Sequence, residues 1–262
     1  MSRIAKAFEG GRKAFVAFVT CGDPDLETTA KVVREIAAAG AGIIELGIPF
    51  SDPTAEGPVI QGANMRALAG GVTTDKIFAM VDALRKDIDT PLVFMTYANV
   101  VFSRGIELFA ERCAEVGIDG IILPDVPFEE KETFAPIFRK RGIDFISLVA
   151  PTSGDRIARI AKDAEGFLYI VSSLGVTGTR EGIATDIGAI VARVREVSDI
   201  PCAVGFGIST PRQAAQMASL SNGAIVGSAI VKLVAANGRK SPPIVGEYVR
   251  SMVAAVGRKK PA

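Results

Sequence analysis

The chain has 262 residues, of which 48% are hydrophobic and 23% are charged, and its formal net charge is +1. This composition is typical of a globular protein with a sizeable core, and no apolar run is long enough to cross a membrane. The near-zero charge gives no reason to expect a nucleic-acid partner. The three cysteines are far apart and match neither a disulfide framework nor a metal motif, so we expect a cytoplasmic protein with reduced thiols.

Eight strand-and-helix units follow one another along the chain. The predicted strands are 14–20, 42–47, 91–96, 120–124, 143–149, 166–171, 200–205 and 223–226. The helices predicted between and after them are 26–39, part of 58–70, 74–86, 106–116, 129–141, 155–163, 187–197, 211–219 and 244–256. The strands are continuous apolar runs, as in parallel sheets that are buried on both faces. The sequence therefore predicts one α/β domain over residues 1–262, a single (β/α)₈ TIM barrel with an extra N-terminal helix and a short helix after strand 8. A doubly wound open sheet is the alternative.

The chain contains no histidine, and this narrows its chemistry. A Ser-His or Cys-His nucleophile pair and an imidazole metal ligand are both excluded. No Lys lies at the end of a predicted strand, which argues against a Schiff-base aldolase. Acid–base work near neutral pH is then left mainly to carboxylates.

One carboxylate, Glu45, interrupts the apolar strand at 42–47, just before a polar loop that contains Glu56. A buried, unpaired carboxylate is costly, so Glu45 needs a partner, a raised pKa or a catalytic task. In a barrel, function lies where strands run into the following helices, and this is where Glu45 falls. A structural ion pair for Glu45 and a solvated loop position for Glu56 are the alternatives.

Glycines follow the last two predicted strands and predict an anion site. Gly207 lies in the segment Gly205-Phe-Gly-Ile-Ser209, and Gly227 and Ser228 begin a helical segment after strand 8. Barrels commonly bind phosphate after these two strands, through backbone N–H groups at a helix N-terminus. The glycine-rich loop at 172–183 is a candidate lid that could add Gly178 to this site, or it is an ordinary surface loop.

The segment Glu45-Leu-Gly-Ile-Pro-Phe-Ser-Asp-Pro-Thr-Ala-Glu-Gly-Pro-Val-Ile-Gln61 resembles the signature of the tryptophan synthase alpha subunit family. Further matching segments occur in order along the chain. They are Phe18-Val-Thr-Cys-Gly-Asp-Pro24, Tyr97-Ala-Asn99, Asp125-Val-Pro127, Gly175-Val-Thr-Gly178, Gly205-Phe-Gly-Ile-Ser209 and Gly227-Ser-Ala-Ile-Val231.

The resemblance implies a barrel that splits indole-3-glycerol phosphate into indole and glyceraldehyde 3-phosphate, in tryptophan biosynthesis. It implies that Glu45 is the acid–base residue and that Glu56 accepts the indole N–H. Phe18 and Tyr169 would flank the indole. The remaining implied positions are Asp125 near the partner contact, Thr177 on the lid, and Gly178, Gly207 and Ser228 at the phosphate. Tyr97 follows the third predicted strand at the barrel top, where its phenol either hydrogen-bonds a ligand or only fills space.

The resemblance also implies a partner and an absence of cofactor. The alpha subunit would need no cofactor or metal of its own, and it would pass indole to a beta subunit that contains PLP, in an α₂β₂ complex. One position departs from the family pattern, because Glu56 stands where the family usually has Asp. This departure leaves a catalytically weak regulatory partner of the beta subunit as an alternative. Another phosphate-binding barrel, such as a sugar-phosphate isomerase, would explain the 205–228 region but not the segment from Glu45 to Gln61.

Overall fold

Nine parallel strands form one sheet in the computed structural model, which describes residues 2–171, 180–205 and 207–257. The strands are β1 (Ala14–Thr20), β2 (Ile43–Gly47), β3 (Leu92–Met95), β4 (Gly120–Ile122), β5 (Asp144–Phe145), β6 (Ser147–Val149), β7 (Leu168–Val171), β8 (Cys202–Gly205) and β9 (Gly223–Val226). Their spatial order is β5-β4-β3-β2-β1-β9-β8-β7-β6.

The two ends of this order meet at one residue, which closes the barrel. β5 pairs with β4, and β6 pairs with β7, and only Ile146 separates β5 from β6 in the chain. The backbone N–H of Ile146 donates to the carbonyl of Ile121 over 2.9 Å, so the strand predicted at 143–149 is one barrel strand with a break in its pairing. The predicted (β/α)₈ barrel is confirmed.

Twelve α-helices lie in the described ranges, and most of them cover the outside of the barrel. They are α1 (Arg3–Ala7), α2 (Leu26–Ala38), α3 (Pro58–Ala69), α4 (Thr74–Leu84), α5 (Ala98–Arg104), α6 (Ile106–Glu115), α7 (Ala135–Lys140), α8 (Arg156–Lys162), α9 (Arg180–Arg195), α10 (Pro211–Leu220), α11 (Ser228–Asn237) and α12 (Ser241–Val256). The predicted N-terminal helix is α1, and the short helix predicted after the last strand is α11.

Local sequence signals explain several helix starts. Asp25 precedes α2, and its side chain accepts a hydrogen bond from the N–H of Thr28 over 2.7 Å. Thr210 and Gln213 form a reciprocal capping box at the start of α10. These side chains satisfy N–H groups that a helix leaves without partners in its first turn.

The helix predicted at 129–141 is wrong as a single element. A 3-10 helix spans Phe128–Thr133, and α7 begins only at Ala135. Pro136 explains the break, because its ring occupies the position of a backbone N–H and is tolerated only in the first turn of a helix. α5 was not predicted, and α9 begins seven residues before the predicted start at 187.

Apolar residues fill two layers, one between the strands and the helices and one inside the barrel. The inner cluster includes Val16, Ile43, Val93, Ile122, Phe167, Tyr169, Ala203 and Ile225. α1 closes the end where the strands begin, because Ile4 is fully buried there and the Phe8 ring lies 6.0 Å from the ring of Phe167. No helix in the described ranges is long and apolar enough to cross a membrane.

Candidate active site

Glu45 faces the barrel interior near the C-terminal ends of the strands. Alternate residues of a strand share a face, and Ile43, two residues earlier on β2, belongs to the inner apolar cluster. In the sheet register Glu45 lies beside Phe18 of β1 and Val93 of β3. The carboxylate therefore stands directly above an apolar barrel interior.

The Glu45 carboxyl group is buried with little to stabilise its charge. The residue is 1% exposed, and its Oε1 atom has no hydrogen-bond partner among the described residues. Burial raises the pKa of Glu45 from 4.5 to about 8. A carboxyl group with this pKa is mostly protonated at neutral pH, so it can donate a proton and then take one back.

Two aromatic rings border the same space, and glycines make room for them. A Cβ atom on Gly47 would lie 2.6 Å from Cζ of Phe18, and one on Gly205 would lie 2.7 Å from the Tyr169 ring. Both rings are almost fully buried, and the charge of Glu45 adds to the effect of burial in raising the pKa of Tyr169. Only glycine leaves enough space for the rings at Gly47 and Gly205.

Glu56 lies on the loop after β2, immediately before the cap of α3. Its Oε2 atom accepts a hydrogen bond of 2.7 Å from Nδ2 of Asn64, and its carbonyl accepts one of 2.7 Å from Gln61. Burial raises the pKa of Glu56, and the hydrogen bond from Asn64 opposes this effect. The alternative of a fully solvated Glu56 is therefore wrong, because the side chain is partly buried and hydrogen-bonded.

The side chains of Tyr97 and Asp125 each accept a hydrogen bond from a backbone N–H group. The hydroxyl of Tyr97 accepts a hydrogen bond of 3.1 Å from the N–H of Ala55, next to Glu56, and its ring lies 5.2 Å from that of Phe50. Both carboxylate oxygens of Asp125 lie 3.1 Å from the N–H of Ala98, the first residue of α5. Tyr97 thus anchors the loop after β2, and the exposed Asp125 stabilises the start of α5.

The predicted anion site lies where β8 and β9 end. Gly207 has a φ of +74°, which favours glycine, and a Cβ atom there would meet nothing within 4 Å. Gly227 caps α11, and the exposed Ser228 is its first residue. The first N–H groups of such a helix, together with its dipole, favour an anion. Thr177 and Gly178 lie outside the described residues.

Two polar residues of α3, Asn64 and Arg66, were not predicted, whereas their neighbour Asp23 lies in a segment that matches the family. Asn64 is 3% exposed on a face of α3 that also carries the buried Ala63 and Ala67. The guanidinium of Arg66 binds both oxygens of the buried Asp23, over 2.8 and 2.7 Å. An amide at an apolar helix position was a usable signal for Asn64, whereas nothing in the sequence links residues 23 and 66. No group of three or more potential metal ligands occurs in the described ranges.

The fold and the buried carboxylate together define a (β/α)₈-barrel enzyme with its site at the C-terminal ends of the strands. A family model described as tryptophan synthase alpha chain matches residues 4–253. The chain is 48% identical over 242 residues to the tryptophan synthase alpha chain of Lacticaseibacillus casei, across 92% of this chain and 91% of that relative. The chain belongs to the tryptophan synthase alpha chain family.

Solved structures support the same assignment. Tryptophan synthase subunit alpha from Legionella pneumophila matches with a TM-score of 0.88 at 38% identity, and the match covers 98% of each chain. A structure of the tryptophan synthase a2b2 complex from Pyrococcus furiosus contains a chain that matches with a TM-score of 0.86 at 34% identity. That match covers 93% of this chain and 99% of the other.

Proposed function

We propose that this chain cleaves indole-3-glycerol phosphate to indole and glyceraldehyde 3-phosphate, with Glu45 as the acid–base residue. The reaction is that of the family to which the chain belongs, in tryptophan biosynthesis. The observation that carries the role of Glu45 is its burial at the top of the barrel interior, with a pKa of about 8.

In this reaction the bond between the indole C3 and the first glycerol carbon breaks. The protonated Glu45 donates its proton to C3, which turns the ring into an electron acceptor. The electron pair of the breaking C–C bond then returns to the ring, and the hydroxyl of the glycerol carbon becomes an aldehyde. The carboxylate form of Glu45 accepts the hydroxyl proton, so no net proton is gained or lost. A pKa near the working pH suits a residue that both donates and accepts.

Glu56 has the complementary role of accepting the indole N–H. Its carboxylate would stabilise the positive charge that develops on the ring when C3 is protonated. The support for this role is that Glu56 follows Glu45 on the same strand-loop segment and is already partly desolvated. Phe18 and Tyr169 are proposed to contact the faces of the indole, and Tyr97 to hold the loop beside it.

The phosphate of the substrate is proposed to bind the N–H groups around Gly207, Gly227 and Ser228. Thr177 and Gly178, which lie outside the described residues, would complete this site and the lid. Support comes from the positive φ of Gly207 and from the start of α11 at Ser228, which offers free backbone donors.

We further propose a beta-subunit partner that carries PLP and receives the indole. Solved relatives include a tryptophan synthase a2b2 complex from Pyrococcus furiosus, which supports an α₂β₂ assembly for this chain as well. Asp125 is exposed beside the start of α5 and is proposed to lie near this contact. A cytoplasmic location stays a prediction.

The test of the proposed reaction is an indole-release assay with Glu45→Gln. Gln keeps the size of the side chain and removes the proton, so turnover should fall by about 10²- to 10⁴-fold while substrate binding remains. The exposed Glu196 is the matched control, and Glu196→Gln should leave turnover unchanged. Near-normal indole release by a folded Glu45→Gln protein would refute the assignment of Glu45.

A further inference from the structure

Asn64 is a buried amide in a place where the helix pattern calls for an apolar residue. It is 3% exposed, and its neighbours on the buried face of α3 are Ala63 and Ala67. A buried amide without partners costs free energy that an alanine would not cost. The hydrogen bond from its Nδ2 atom to Oε2 of Glu56, at 2.7 Å, is the interaction that offsets this cost.

Two hydrogen bonds from α3 hold Glu56, one at its backbone carbonyl and one at its side-chain carboxylate. Gln61, in the first turn of α3, donates to the carbonyl of Glu56, while Asn64, one turn further on, donates to the carboxylate. The carboxylate is thereby folded back along the start of α3. In the part of the chain that the structure describes, no hydrogen bond reaches its other oxygen, Oε1, which stays available for a ligand donor.

The helix that carries Asn64 is itself held against the barrel. Arg66 on α3 binds both carboxylate oxygens of Asp23, which is buried just after β1. Ala63 on the same helix packs in one cluster with Phe18 of β1. Bidentate arginine–carboxylate pairs fix orientation as well as distance, so the position of the Asn64 amide is fixed relative to the strands.

We propose that Asn64 is the positioning residue of Glu56, which it holds by one oxygen so that the other meets the indole N–H. This inference rests on the role proposed above for Glu56. A second effect has the same origin, because a hydrogen bond to a carboxylate favours its charged form. The Asn64 hydrogen bond lowers the pKa of Glu56 and so counteracts the effect of burial.

The first experiment compares Asn64→Leu with the wild type in the indole-release assay across pH. Leu is close to Asn in size and lacks the donor. We expect kcat to fall by about 10- to 100-fold, because small displacements of a catalytic group have effects of this order. The acidic limb of the pH–rate profile should also move to higher pH, because Glu56 loses the hydrogen bond that favours its charged form.

A purely structural role for Asn64 would change the folded fraction and leave the acidic limb in place. A folded Asn64→Leu protein with the wild-type profile would therefore overturn the inference. A third variant, Glu56→Gln, distinguishes a failure of the positioning role of Asn64 from a failure of the role proposed for Glu56. An active Glu56→Gln protein refutes the role of Glu56, whereas an inactive Glu56→Gln beside a normal Asn64→Leu refutes only the positioning by Asn64.

The second experiment exchanges the lengths of the two side chains, so it does not require that the protein folds with Leu at position 64. Glu56→Asp shortens the acid by one methylene, and Asn64→Gln lengthens the amide by the same amount. Each single variant should lose activity, and the double variant should recover at least about 10-fold over Glu56→Asp, since the contact can form again. A gain in rate for Glu56→Asp alone, or no recovery in the double variant, would contradict the proposal.

Discussion

Two buried carboxylates lie at opposite ends of the same barrel, and they are held in opposite ways. Asp119, 9% exposed at the end where the strands begin, accepts hydrogen bonds from Arg85, from Arg3 over 3.1 Å and from the N–H of Leu92 over 2.9 Å. Glu45, 1% exposed near the end where the strands finish, has an Oε1 atom without a partner among the described residues.

The comparison indicates that Asp119 serves the stability of the barrel, whereas Glu45 serves its chemistry. The pair of Asp119 and Arg85 links the segments that lead into β3 and β4, since Arg85 also donates to the carbonyls of Thr90 and Gly117. Glu45 contributes no such network, and its burial favours the protonated form that acid catalysis needs. Asp119 is thus stabilised by charged partners, whereas Glu45 keeps a proton that it can donate.

The largest loss of stability is expected from Asp119→Asn. The substitution leaves Arg85, whose side chain is 11% exposed, without its charged partner, and should lower the free energy of unfolding by about 3 kcal/mol. Urea denaturation measures this loss, while indole release per folded molecule should stay unchanged. Asp75 is the matched control, because its side chain is 72% exposed in a pair with Arg104, and Asp75→Asn should cost less than about 1 kcal/mol. Equal losses for the two variants would contradict the comparison.

Glu45→Gln should have the opposite effect on stability, and the effect should depend on pH. Folding raises the pKa of Glu45 from 4.5 to about 8, so in this window the folded protein binds more protons than the unfolded chain. The free energy of unfolding of the wild type should therefore fall as pH rises through the window, by up to about 1.4 kcal/mol per pH unit. Glu45→Gln removes this contribution, so its stability relative to the wild type should increase with pH. Parallel stability curves for the two proteins would show that Glu45 is ionised in the folded state at neutral pH.

A smaller effect is expected from Gly205→Ala, which tests the space around the aromatic rings. The new Cβ atom would lie 2.7 Å from the Tyr169 ring, and the forced shift should cost about 1–3 kcal/mol of stability and also lower kcat/KM. Gly188→Ala is the control. Gly188 lies inside α9, and a Cβ atom there would meet nothing within 4 Å. The control should gain up to about 1 kcal/mol, since Ala favours helices over Gly. Equal changes in stability for the two variants would show that the Tyr169 ring does not require a glycine at position 205.

Most of the fold could be predicted from the sequence because each strand is a separate apolar run. The runs at 14–20 and 42–47 match β1 and β2 to within one residue. The failures have local causes. Pro136 divides the helix predicted at 129–141, and the split of the strand at 143–149 depends on which neighbour each half pairs with, which no local pattern records.

The candidate site could be predicted only where a residue violates its own local pattern. Glu45 stands out as a charge in an apolar strand, and Asn64 stands out in the same way on α3, although it was not predicted. The pairing of Asp23 with Arg66 could not be predicted, because the two residues lie far apart in the sequence and meet only in the folded chain. Thr177 and Gly178, expected from the resemblance, stay predictions.

The role of Glu45 as the proton donor is tested most directly by titration of its carboxyl group. Infrared difference spectra between the wild type and Glu45→Gln isolate the carbonyl band of the protonated side chain, which can be followed as a function of pH. This role predicts a band that is present at neutral pH and disappears with a midpoint near pH 8. A midpoint near the ordinary value of 4.5 would contradict it, because Glu45 would then have no proton to donate at neutral pH.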